Sequence, residues 1–195
     1  MRFVLASASP ARLATLRRAG LDPEVIVSGV DESALTADSP AELTRVLASA
    51  KLAAVLPEVV QPAVVLACDS MLEFDGVAHG KPGSAEAAAQ RWRTLRGRSG
   101  ILHTGHALAC PSGTFTEVVS TVVHFADVTD DEIDIYAGTG EPSVVAGAFT
   151  LDGLGGWFVS GIEGDPHNVV GVSLPTLRRM VRSAGLELLD LGYPG

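Results

Sequence analysis

The stretch VVLACDSMLEFDGVAHGKPGS, residues 64–84, decides how the chain is read. Its opening VVLAC is apolar without alternation, the pattern of a strand buried on both faces. Asp75-Gly76 then supplies the two positive-φ positions of a type I′ turn, so EFDGVA reads as a hairpin. The stretch also poses a chemical question. Asp69 stands at the end of the apolar run, and the hairpin is expected to fold Lys81 back towards it.

Working outward, FVLAS at 3–7 is a short strand, and Ser9-Pro10 caps and opens a helix that carries Leu13 and Leu16 and stops at Gly20. Ser39, Pro40 and Glu42 start a second helix, with Leu43, Val46, Leu47, Ala50 and Ala54 expected on its inner face and Pro57 at its end. Ser84 to Leu95 reads as a helix ended by Gly97. ILHTGHALAC and TFTEVVSTVVHFA read as antiparallel strands joined by PSG. Thr129 caps a short helix through Thr-Asp-Asp-Glu, and Ser173 opens a last one with Leu177, Met180 and Val181 inward and Gly185 at its end. Between them, residues 138–171 are glycine-rich with little helical period. Helices alternate with strands, yet hairpins occur too, so the expected class is α/β with a mixed central sheet. No linker divides residues 1–195, which read as a single domain.

With 195 residues and 47% hydrophobic content, the chain can bury one sizeable core. A net charge of -9 argues against a partner such as a nucleic acid polymer or an anionic membrane, both of which reward clustered Lys and Arg. Cys68 and Cys110 lie inside apolar runs and read as small core residues in a reducing compartment. The apolar part of MRFVLASASP is too short for a signal peptide core, and no stretch reaches the roughly 18 apolar residues of a membrane span. The expected location is the cytoplasm.

LASASPAR, residues 5–12, feeds a strand into a helix N-terminus, which exposes N–H groups suited to a phosphate, and Arg12 could add a fork of donors. An ordinary capped helix with a surface arginine reads the same way. Lys51, four and eight residues from Leu47 and Leu43, either snorkels to solvent or enters a cleft to meet an anion. Asp69 either caps a turn or stands at the carboxyl end of a central strand, where open α/β sheets place ligands. A buried carboxylate there needs a metal, a cation or solvent beside it. Gly80-Lys81-Pro82 is not a Walker A loop, which requires Ser or Thr after Gly-Lys. His103 and His106 point to opposite faces of their strand, so they make a poor metal pair. Together the cations and carboxylates suggest a polyanion site with a divalent metal, suited to phosphoryl chemistry.

As a set, LASASPAR, Asp31-Glu32, Ala50-Lys51, ACDS at 67–70, GKP at 80–82, HTGHAL, Gly140-Glu141, AGAF with GLGG, and NVVGVSLPTL resemble the Maf family. That family consists of nucleotide pyrophosphatases first associated with septum formation. The resemblance implies an elongated mixed sheet flanked by helices, two lobes with a cleft, and a fold similar to inosine triphosphate pyrophosphatases. It implies hydrolysis of a nucleoside triphosphate to monophosphate and pyrophosphate with Mg²⁺, Mn²⁺ or Co²⁺, and a homodimer. It places the catalytic aspartate on Asp69, metal binding on Glu32 with Asp69, and triphosphate binding on Lys51 and Lys81. Substrate binding falls on Ser7, Ser9, Arg12, Ser70 and Asp152. A nucleotide-binding regulator of cell division without turnover is the alternative.

Three departures stand out against that resemblance. The family's arginine pair is here Ala11-Arg12, and Val144-Val145 replace a usual Asp-Lys. Asp152 stands where subgroups carry glutamine or glutamate; a carboxylate only accepts hydrogen bonds, so it favours a base that presents N–H groups.

Overall fold

Arg2–Leu5 forms β1, buried after its first residue, and pairs in parallel with β3, Ala63–Phe74, in the computed structural model, which describes residues 1–194. β2, Glu24–Val25, lies parallel on the outer side of β1; two residues carry too little pattern to be foreseen. β3 continues through the turn at Asp75 (φ 51°) and Gly76 (φ 76°) into β4, Val77–His79, as the Asp-Gly pair demands. β5, Ser99–Cys110, and β6, Gly113–Phe125, complete the long antiparallel ladder, and β7, Val159–Glu163, pairs with β6. The order is β2-β1-β3-β5-β6-β7 with β4 beside β3: a mixed sheet, as expected.

Helices cover this sheet in three groups. α1, Pro10–Arg18, and α6, Leu174–Ser183, bury Leu16, Leu177, Met180 and Val181 against Phe3, Leu5, Val64, Leu66 and Leu108. α2, Pro40–Val55, lays Ala48, Leu52 and Val55 on the opposite face, against Val4, Val65, Ala67 and Ala107. Along the other half of the strands, α3, Ala85–Leu95, and α4, Asp130–Gly138, enclose Trp92 and Tyr136 with Leu72, Phe74, Leu102 and Phe125. Trp92 meets Phe125, Tyr136 and Phe158 edge-on, with centroids 5.5–5.8 Å apart. No helix among the described residues is long and apolar enough to cross a membrane.

The helix starts follow their caps. Ser9, Ser39, Ser84, Thr129 and Ser173 each accept from a main-chain N–H of the first turn, and Thr129 with Glu132 completes a capping box. Two expectations need correction. The inner face of α2 is Thr44, Leu47, Ala48, Leu52 and Val55, with Ala54 exposed, so the helix is rotated from the face its leucines suggested. Small residues there allow close approach to the sheet, which outweighs the larger side chains. The glycine-rich region 138–171 is not featureless: three short 3₁₀ turns, β7 and α5, Pro166–Val170, run through it. Glu141 organises it, accepting from Thr150 Oγ1 at 2.6 Å, Tyr136 Oη at 2.9 Å, Gly155 N at 3.0 Å and Leu154 N at 3.1 Å. Burial pushes its pKa up, but these donors prevail and hold it below the usual glutamate range.

Both cysteines are free. Cys68 is a core residue whose thiol burial pushes up to about 12, so it is inert. Cys110 is only half-buried, with Sγ 3.1 Å from Ser112 Oγ, because it ends its strand beside the turn.

Candidate active site

β3 loses its neighbour where β1 stops. The β1 ladder ends at Leu5↔Leu66 with one further bond, Ala6 N–H to Leu66 O at 2.8 Å, and β4 joins only at Leu72↔His79. Residues 67–71 therefore have no strand on that edge. Leu66 and Leu72 direct their main-chain groups to it, so by alternation Cys68 and Ser70 direct theirs the same way. The SASP loop borders the gap on one side, and the loop after β4 borders it on the other.

Asp69 sits in this gap with its side chain on the α2 face. Its partner on β5 is Gly105, where a Cβ would lie 2.2 Å from the Thr44 carbonyl oxygen of α2. Only glycine lets the helix backbone rest there. Two turns further along α2, Lys51 consequently hangs over Asp69 and pairs with it. The same ammonium lies 2.7 Å from Glu32, in a 3₁₀ turn, Glu32–Ala34, that Asp31 caps. The side chains of Asp69 and Lys51 are 7% and 12% exposed, that of Glu32 50%. Lys51 thus takes the cleft alternative rather than solvent. Burial raises the pKa of Asp69; Lys51 and Arg12 pull it back without cancelling the rise.

Arg12 is buried on the other face of β3. Its Nε donates to Gly171 O at 2.7 Å, Nη1 to Ser7 Oγ at 3.1 Å and Nη2 to Ser70 Oγ at 2.9 Å. Ser70 Oγ is 2.9 Å from Thr104 Oγ1, which donates to Asn168 O at 3.0 Å. Gly171, at φ 117°, takes a conformation that side chains rarely adopt, and a Cβ there would lie 3.1 Å from Arg12 Nε. The fork expected to face a phosphate is therefore largely occupied by protein acceptors. Ser7 and Ser70 orient it, and Ser9 caps α1 beside it.

Lys81 is exposed and forms no ion pair among the described residues; the cation on Asp69 is Lys51 instead. The hairpin does form, but beyond it Gly80 O is held by Arg91 Nη1 at 2.6 Å and by Gly147 N–H at 3.3 Å. Asp152 lies apart from both clusters, 3.5 Å from Arg18, and the two help to line a cavity of about 270 Å³ with Thr15, Leu151, His167 and Val170. His103 lies between Glu73 (2.9 Å) and Ser120 (2.8 Å), while His106 accepts from Ser173 N–H at 2.9 Å. They belong to opposite faces, as expected.

Arg18 was not singled out in the sequence, and Thr104 and Gly171 entered only inside the HTGHAL and NVVGVSLPTL motifs, without a role of their own. Thr104 is the cross-strand partner of Ser70, a contact that the pairing register alone identifies. Nothing in the local sequence marks Arg18, and the role of Gly171 depends on Arg12, 159 residues away.

Glu32 and Asp69 offer hard oxygen donors already gathered on one positive charge, a set that fits Mg²⁺ or Mn²⁺. Among the described residues no three His, Cys, Asp or Glu side chains cluster for an ion, so phosphate and water oxygens would complete its shell.

The family described as Maf-like protein matches residues 2–184. The nucleoside triphosphate pyrophosphatase of Salinispora tropica is 55% identical over 201 residues, spanning 100% of this chain and 89% of that protein. That of Streptomyces avermitilis is 53% identical over 197 residues, spanning 99% and 95%. Among solved structures, the Ham1 protein of Staphylococcus aureus aligns with a TM-score of 0.44 at 19% identity, over 65% of this chain and 73% of that one.

Proposed function

The chain belongs to the Maf-like family, and on that premise we propose how its residues act as a nucleoside triphosphate pyrophosphatase. The observation that carries the reading is Asp69, buried in the gap on the β3 edge with Lys51 and Glu32 gathered on it.

Water attacks the α-phosphorus, the bond from that phosphorus to the β-phosphate bridging oxygen breaks, and monophosphate and pyrophosphate leave. Asp69 takes the proton from the attacking water. Burial supports this role, because a carboxylate held above its ordinary pKa is a stronger base than a solvated one. Lys51, on the rim of the gap, and Lys81, exposed on the loop beyond β4, offset the charge on the leaving pyrophosphate. A divalent cation held by Glu32 and Asp69 would supply further charge neutralisation on the phosphate oxygens. Ser7, Ser9, Ser70 and Arg12 shape the start of α1, whose N–H groups suit phosphate oxygens. Asp152, paired with Arg18 in the lining of their cavity, is the candidate for contacting the base.

Pyrophosphate release from a nucleotide panel with Mg²⁺, Mn²⁺ or Co²⁺ tests the reaction. Asp69→Asn should lower turnover by about 10²-fold or more while nucleotide binding persists. Retained turnover in that variant, or release of orthophosphate in place of pyrophosphate, would overturn the assignment. The same panel on Asp152→Gln should shift the order of preferred bases if that side chain reads them.

A further inference from the structure

Asp69 and Glu32 each contact the ammonium of Lys51, so one nitrogen bridges both carboxylates. Asp69 is nearly enclosed, and a buried carboxylate without a cation is costly. Among the described residues no other side chain forms an ion pair with either group. Lys51 is therefore the counter-cation of the substrate-free chain, and in that position it is committed to the carboxylates rather than to a phosphate.

We infer that Lys51 is a tethered stand-in for the divalent ion: ion and ammonium exchange between Glu32 and Asp69, and displacement frees the lysine for the substrate. This rests on the reading of the gap as a metal-assisted nucleotide site. The formal charges make the exchange consequential. The two carboxylates and one ammonium sum to -1. With a divalent ion added and the ammonium still tethered nearby, the same cluster sums to +1. The gap thus changes sign before a polyanion enters, so nucleotide should bind with or after the metal, not before it. The 50% exposure of Glu32 and its position on a short turn leave room for the rearrangement.

Mn²⁺ binding without nucleotide, followed by electron paramagnetic resonance or calorimetry, tests the exchange. Lys51→Met, which keeps the apolar stem, should bind Mn²⁺ on the order of tenfold tighter than the parent chain, because a unit charge competing at contact distance has gone. Lys81→Met also removes one positive charge but no competitor, and should change the affinity by far less. Should Lys51→Met fold poorly, Lys51→Gln carries the same expectation, and the gain in Tm on adding Mn²⁺ gives a second readout. Equal affinities in the Lys51 and Lys81 variants, or weaker binding in the Lys51 variants, would overturn the exchange. Neither result depends on turnover: a chain that shows the Mn²⁺ difference but cleaves no nucleotide refutes the pyrophosphatase mechanism alone.

Discussion

At Asp69 a charge is held where the fold itself disfavours it. Burial raises its pKa above 3.8, and Lys51 and Arg12 only partly counter the rise. The folded chain therefore binds that proton more readily than the unfolded chain. The ionised carboxylate destabilises the fold above the folded pKa, and this cost fades as pH falls through it. Asp69→Asn should thus match or exceed the parent in Tm at pH 8, by about 2–4 °C for each kcal/mol relieved, with the difference closing in acid. Thermal melts at two pH values check this, and a clear loss of Tm at pH 8 would show that the Lys51 pair outweighs burial. The aspartate was legible in the sequence, because an apolar run that ends in a carboxylate has few structural uses. Its cation was not. The hairpin pointed to Lys81 as its neighbour, whereas Lys51 occupies that position, because the choice depends on how closely α2 approaches β5.

That approach is a property of one helix and one strand. Thr44 O lies where a Cβ on Gly105 would be, 2.2 Å away, so Gly105→Ala must push α2 off the sheet or distort β5. The expected cost is about 1–3 kcal/mol or more, and Lys51 should lose its register with Asp69, lowering kcat as well as Tm. Denaturant unfolding and kinetics on the same variant measure both; unchanged values would show that the backbone contact does not position the lysine. Elements with strong local signals, such as the helices capped by Ser9, Ser39, Ser84, Thr129 and Ser173, the Asp-Gly hairpin and the long β5–β6 pair, were readable. The 3₁₀ turns at Glu141–Val144 and Leu154–Phe158 were not, since Glu141 ties them together by accepting from donors up to 14 residues away rather than through any repeating pattern, and β7 is defined by its pairing with β6. The burial of Arg12 was not readable for a related reason: its principal acceptor, Gly171 O, is 159 residues distant in sequence.

Across the whole molecule, the buried polar layer behind β3 and β5 ties α1, α5 and α6 to one sheet. His106 lies in it, accepting from Ser173 N–H and donating through Nδ1 to Thr104 O at 3.1 Å. Burial first, then the nearby Arg12 charge, lower its pKa from 6.5 to about 4. The unfolded chain takes up this proton sooner than the folded one, so stability falls as pH drops from 6.5 towards 4, by about 3 kcal/mol for this group. His106→Gln keeps an acceptor for Ser173 but does not titrate. Its stability should therefore be flatter across that window than the parent's in denaturant titrations, and parallel curves would remove His106 from the acid response.

The interrupted edge of β3 also makes the chain its own occupancy sensor. Amides in the middle of a sheet exchange their hydrogens slowly, whereas those on an uncovered edge exchange through small local openings. The main-chain amide of Ser70 lies on such an edge, next to Asp69 and within a strand whose other side is locked to β5. A ligand that fills the gap should slow deuterium uptake there while leaving the β5 side unchanged. Site-resolved exchange can then report binding even to a chain whose turnover has been removed.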